Sequence, residues 1–216
     1  MFKPYFSLLS FFLITNIMIS GCANKTSLST KHALQALSPE QRTAQLLKNK
    51  KWQLQGKIAF IEKISDKKDK RESASISWYV DEDAQNQTLN LTSYLGINVL
   101  HIESSKGQHV IKVDSKEYRG THLAYLIYSL TGLTLPTNAL TYWLKGLPYQ
   151  ASDKLKLNSN TQLPISISSY YNNVLWQINY SNYQVFDGVK MATKFSIKKN
   201  GLLIKVAVKK WSLLSK

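Results

Sequence analysis

The chain predicts a mainly β domain, a single antiparallel sheet curved into an unclosed barrel and covered by short helices. Three observations predict it. Apolar residues alternate with polar ones, at a period of two, along two long stretches of sequence. Turn pairs that tolerate positive φ, Asn172-Asn173, Asp187-Gly188 and Asn200-Gly201, separate the later stretches as a meander requires, and the last is the favoured type I′ pair. Between the two stretches, residues 121–146 switch to helical spacing. A sheet of roughly ten strands with one apolar face must curl or be covered.

The elements follow in order. Ser38-Pro39-Glu40-Gln41 offers an N-cap, a proline at the first helical position and a capping-box glutamine, so a first helix runs from Pro39 to about Lys50, with Ala44, Leu46 and Leu47 on it. From Trp52 the period becomes two: Ile58 and Phe60 share a face, Ala74, Ile76, Trp78 and Val80 alternate with Ser73, Ser75, Ser77 and Tyr79, and Leu89 and Leu91 alternate with Thr88, Asn90 and Thr92. The charged stretch Glu62 to Glu72 reads as an exposed hairpin loop. Alternation resumes at Ile165 and Ile167, then Val174, Trp176, Ile178 and Tyr180, then Met191, Phe195 and Ile197, then Leu202 to Val208. The cover is a helix within His122 to Leu133, carrying Leu123, Leu126, Ile127 and Leu130 and ending at Gly132, and a shorter one after Pro136 with Leu140, Trp143 and Leu144 before Gly146. The apolar space between sheet and helices is either a packed core or a cavity for a hydrophobic ligand.

The first residues belong to no fold. Lys3, the apolar run Tyr5 to Ile19 and the small residues Ser20 and Gly21 describe a secretory signal at 1–21 that is short for a transmembrane helix. Ile19-Ser20-Gly21-Cys22 reads as a lipobox, which makes Cys22 the lipidated first residue of the mature chain. It is the only cysteine, so no intramolecular disulfide forms. No aspartate follows it to favour retention at the inner membrane, which points outward. Residues 22–37, rich in Ser, Thr, Asn and Lys, read as a solvated tether, and 38–216 as one domain.

The formal net charge of +15 suits nucleic acid, an anionic membrane surface or an acidic partner. A lipid-tethered envelope protein rarely meets nucleic acid. Enzyme signatures are missing: there is no G-x-S-x-G elbow, no H-E-x-x-H and no glycine-rich phosphate loop, and His32, His101, His109 and His122 lack metal-ligand spacing. His101 stands beside Glu103 on a predicted strand, an arrangement that fits a satisfied histidine better than a catalytic one. No cofactor or metal is expected.

The stretch from Leu130 to Pro148, Leu-Thr-Gly…Leu-Pro…Leu…Trp…Gly-Leu-Pro, resembles the signature of the LolB family of outer-membrane lipoprotein receptors. Gly56, Trp78, Leu95-Gly96, Trp176 and Trp211 sit in the family's order and spacing, although Tyr94 stands where a proline is common. The resemblance implies a LolA/LolB-like half-barrel whose cavity takes the acyl chains of lipoproteins. It also implies that a monomeric receptor accepts cargo from the periplasmic carrier LolA and releases it into the inner leaflet of the outer membrane. Leu95, with Tyr94 and Ile97 beside it, is then the protruding loop that helps insert cargo. The apolar faces supply the cavity candidates Ile58, Phe60, Ile76, Trp78, Leu89, Leu91, Trp143, Trp176 and Ile178. The competing reading is an envelope scaffold lipoprotein, with a filled core and Leu95 tucked beneath the sheet.

Overall fold

The structure, a computed structural model, describes residues 37–63 and 68–214. Cys22, the signal at 1–21 and the tether up to residue 36 lie outside the described residues, as do residues 64–67 of the charged loop. Residues 36–216 form one compact unit.

Eleven strands make one antiparallel sheet. Helix α1 (Pro39–Lys48) leads into β1 (Lys51–Glu62), β2 (Lys70–Asp81), β3 (Asn86–Thr92), β4 (Asn98–Ser105), β5 (Gln108–Val113) and β6 (Lys116–Gly120). Then come α2 (Leu123–Thr131), α3 (Thr137–Trp143), β7 (Lys154–Leu157), β8 (Pro164–Tyr171), β9 (Val174–Phe186), β10 (Val189–Lys199) and β11 (Leu202–Leu213). The spatial order is β6-β5-β4-β3-β2-β1-β11-β10-β9-β8-β7. Two meanders are therefore joined by the pairing of β1 with β11, while β6 and β7 stay unpaired with each other as the two edges. The chain between those edges carries α2 and α3, so the helices bridge the opening that strand pairing leaves unclosed.

Two-residue turns explain the tight meander. Lys106-Gly107, Asp114-Ser115, Asn172-Asn173 and Asp187-Gly188 all have both residues at positive φ, as a type I′ hairpin requires. Asn200-Gly201 departs from the expected type I′ geometry, because only Gly201 has positive φ. The backbone N–H of Lys63 donates to the Gly201 carbonyl, tying this turn to the start of the β1–β2 loop.

Two expectations need correction. The charged segment is a shorter loop than Glu62 to Glu72, since Lys70, Arg71 and Glu72 already pair with β1 as strand residues. The first helix stops at Lys48 rather than Lys50: the Asn49 side-chain amide and backbone N–H both donate to the Gln45 carbonyl and turn the chain out. Its Ser38–Gln41 capping box forms as expected. Its buried face is not the apolar one, however. Ala44 and Leu47 face solvent, and Arg42 lies buried beside Leu46.

Arg42 belongs to a set of buried polar groups that clamps the helices to the sheet. Its guanidinium donates to the carbonyls of Lys190 and Lys145 at 3.2 and 3.0 Å. The Tyr180 hydroxyl donates to the Trp143 carbonyl at 2.8 Å, and the Tyr183 hydroxyl to the Pro164 carbonyl at 2.6 Å. The Lys145 ammonium, wholly buried, meets Glu82 at 2.6 Å. Burial pulls the Lys145 pKa below the ordinary lysine value, and Glu82 offsets part of that by favouring the charged form. These contacts converge on Trp143 to Leu147, where Gly146 turns at φ +73° and Trp143, Leu144 and Leu147 are buried. The Trp…Gly-Leu-Pro stretch of sequence is thus the seam between the second meander and the helical cover.

Candidate functional site: an apolar cavity beneath the lid

Between the inner face of the sheet and the helices lies a cavity of about 490 Å³. This falls within the range of roughly 300–1,000 Å³ typical of small-molecule sites. Ile58 and Phe60 of β1, Ala74, Ile76 and Trp78 of β2, and Leu89 and Leu91 of β3 form its floor, with Leu100 and Ile102 of β4 continuing it. Ile197, Ile204 and Val206 extend it across β10 and β11. Leu123 and Ile127 of α2, Leu140 of α3 and the connecting residues Leu133 and Leu135 form the roof. Period-two alternation on the strands and i, i+4 spacing on α2 aim these side chains at one another.

Glu62, Lys70, Glu72, Ser73 and Ser93 line one end of the cavity, and Gln87, Thr131 and Thr137 are its other polar lining. That end is also where β3 turns into β4: Ser75 pairs with Thr92, so the β2 segment 70–74 runs alongside the loop 93–97. In that loop the Ser93 N–H donates to the Ile97 carbonyl and the Gly96 N–H to the Ser93 carbonyl, with Gly96 at φ +78°. The tight closure pushes the intervening side chains outward. Tyr94 is 99% exposed, Leu95 80% and Ile97 62%. Burying such side chains is worth about 1.5–3 kcal/mol each, so a loop that exposes three of them within four residues forgoes several kcal/mol. The structure puts Leu95 out in solvent rather than tucked beneath the sheet.

Six of the nine apolar candidates, Ile58, Phe60, Ile76, Trp78, Leu89 and Leu91, line the cavity. Trp143, Trp176 and Ile178 lie buried in the packed core outside it. The aromatic rings there fill their own space: Trp143 and Trp176 sit 6.0 Å apart by ring centroid, Trp143 and Tyr171 6.3 Å, and the Trp143 indole N–H donates to Asp153. Sequence reasoning did not single out Leu133, Leu135, Leu100 or Ala74 as lining residues. The alternation of Leu133 and Leu135 across Gly132-to-Pro136 was the available signal, obscured because it belongs to neither helix.

A cation secures the lid. Lys199, at the end of β10, donates to the Thr134 carbonyl at 3.1 Å and lies over the Trp176 ring at 5.4 Å, pinning the α2–α3 connection to the sheet. Partial burial lowers its pKa. His101 is satisfied locally, by Asn90 and by Glu103 at 2.7 Å, and its hydrogen bond holds the Glu103 carboxyl below the usual range. Among the described residues no group of His, Cys, Asp and Glu could hold a metal ion.

The family model for the outer membrane lipoprotein LolB matches residues 50–211. The chain belongs to the LolB family. Among LolB relatives, the outer-membrane lipoprotein of Psychromonas ingrahamii is 32% identical over 214 residues, covering 98% of this chain and 97% of its own length. That of Tolumonas auensis is 32% identical over 164 residues, covering 75% of this chain and 77% of its own. A LolA superfamily protein from Nitrosomonas europaea superposes with a TM-score of 0.50 at 10% identity, over 82% of this chain and 94% of that one. A DUF1329 family protein from Desulfovibrio piger does so with a TM-score of 0.52 at 10% identity, over 82% and 92%. These two likenesses establish the shared fold. The LolB relatives support the role of an outer-membrane lipoprotein receptor.

Proposed function

We propose that this LolB-family chain accepts acylated lipoproteins from the carrier LolA, holds their acyl chains in the cavity beneath α2 and α3, and delivers them into the inner leaflet of the outer membrane. The observation that carries the reading is the adjoining pair of features at one end of the sheet: an apolar cavity and a solvent-exposed Tyr94-Leu95-Gly96-Ile97 loop. A scaffold lipoprotein would need neither.

The physical chemistry fits that division of labour. Each methylene of an acyl chain gains about 0.8 kcal/mol on leaving water, so a diacylated or triacylated cargo cannot cross the periplasm unshielded. A cavity offers the same gain without a bilayer, and a relay needs no nucleotide if each successive site binds more tightly than the last. Lipidation at Cys22 would hold the receptor at the membrane facing the periplasm, with residues 22–37 as tether. Leu95, Tyr94 and Ile97 would enter the acyl region of the leaflet and bring the cavity end against it. Cavity and loop belong to one chain, so a monomer suffices for the role.

The test is transfer of an acylated lipoprotein from purified LolA to the soluble chain beginning at Ala23, and then into liposomes. In the Leu95→Glu variant, acceptance remains within about twofold of wild type while delivery falls at least tenfold, the outcome of placing a charge where an apolar side chain must enter hydrocarbon. Equal delivery by wild type and variant would remove the loop from the mechanism. Failure of wild type to accept cargo would remove the receptor reading.

A further inference from the structure

The outward face of the central strands carries a charge distribution that neither the cavity nor the loop uses. Lys57 of β1, Arg71 of β2, Lys194 of β10 and Lys205 of β11 all point away from the cavity, on four adjacent strands. Register brings them together: Lys57 and Lys194 both pair with Ala207, Lys205 with Ala59, and Arg71 with Ile61. All four are exposed, and among the described residues none takes part in an ion pair. The acids of these strands are turned elsewhere. Glu62 and Glu72 line the cavity, and Asp81 pairs with Lys51 at 3.0 Å. Strands β8 to β11 contain no acidic residue. Small side chains lie between the cations, Ala59, Ser73 and Ala207, and leave a shallow groove of about 360 Å³.

We propose that this outward face is a docking surface for anionic phospholipid headgroups. Like charges collected on a sheet repel one another, so the arrangement destabilises the isolated domain unless an anionic partner covers it. A bilayer fits better than a protein for two reasons on this molecule. The patch reaches Arg71 near the start of β2, at the same end of the sheet as the exposed apolar loop that follows β3, and cations flanking an apolar insertion are the pattern of a surface-bound membrane protein. The sixteen residues from Cys22 to Leu37 reach at most about 55 Å, so a lipid-anchored domain always has a bilayer within range. Docking by this face tilts the domain and turns the cavity end towards the leaflet. The inference rests on the proposed function for the lipid anchor at Cys22 and for the apposition of loop and bilayer.

Sedimentation with vesicles tests it without cargo or carrier, using the chain that begins at Ala23, since every described element and the core lie within 36–216. Wild type binds phosphatidylethanolamine vesicles containing phosphatidylglycerol and binds vesicles lacking it only weakly, and added salt removes the difference. The variant Lys57→Gln/Arg71→Gln/Lys194→Gln/Lys205→Gln loses about 600-fold in partitioning, at about fivefold per cation. A control with the same charge change elsewhere, Lys48→Gln/Lys106→Gln/Lys116→Gln/Lys154→Gln, keeps most of the binding. Leu95→Glu keeps the preference for phosphatidylglycerol, so failure of the loop reading and failure of this one give different results. Equal losses in both quadruple variants, or equal binding of wild type to the two vesicle types, would overturn the proposal. So would a face variant that binds vesicles normally but no longer accepts cargo from LolA, which would assign the face to an acidic protein.

Discussion

Ala74→Trp abolishes cargo uptake while leaving the fold intact. Ala74 lies on β2 with its side chain in the cavity floor, between Ile58 across the β1 pairing and the open space beneath α2. An indole there occupies the volume that an acyl chain would take. The space is already empty, so the substitution does not force neighbours out of their rotamers as overpacking of a filled core does. Co-purification with an acylated lipoprotein falls at least tenfold, and the thermal midpoint stays within a few degrees. Ser75→Trp, one residue along and on the opposite face, retains uptake. Equal uptake by both variants would mean that the cargo binds somewhere other than the cavity.

Gly56→Ala unfolds the protein some 10 °C earlier. The β1–β11 register shifts between Gln55 and Gly56, and the bulge draws the β11 backbone in so that a Cβ at residue 56 would lie 2.1 Å from the Ala207 carbonyl oxygen and 2.9 Å from the Val208 Cα. Both are backbone atoms of the pairing that joins the two meanders, so neither can move aside as a flexible side chain could. The cost is about 3 kcal/mol, which for a domain of this size corresponds to roughly 10 °C in melting temperature. Gly96→Ala makes the informative comparison: a Cβ there meets nothing within 4 Å, and only its φ of +78° opposes the change. That variant therefore loses less than half as much. A melting temperature unchanged in Gly56→Ala would show that the two meanders can part locally without harm.

The strand faces were legible in the sequence because period-two alternation is a local property. That rule alone places Ile58, Phe60, Ile76, Trp78, Leu89 and Leu91 on one apolar face, and all six line the cavity. The same rule could not separate them from Trp176 and Ile178, which share the face but lie where aromatic rings rather than empty space meet the sheet. Whether a face is roofed or packed depends on which helix comes to rest over it. Arg42 and Lys145 were illegible for a related reason: their partners lie 63 to 148 residues away, and a lone charge in a helix or in the turn after one reads as solvated until those partners are in place. The lid helices were readable from their spacing and from Gly132, which takes the left-handed cap at φ +71°. The exposed loop was legible through its unusual composition together with the resemblance to the LolB family, whereas the basic outward face was hidden because its cations come from strands far apart in sequence.

The central claim is that acyl chains occupy the space beneath α2 and α3. The most direct measurement is to load the protein with a lipoprotein whose acyl chains carry a photoreactive diazirine, irradiate the complex and map the crosslinked peptides by mass spectrometry. Crosslinks clustered in the β2 and β3 peptides that contain Ala74 and Leu89 and in the α2 peptide that contains Ile127 are the predicted result. Crosslinks confined to the Tyr94–Ile97 loop or to the outward face of the sheet, with none in those three peptides, would contradict it.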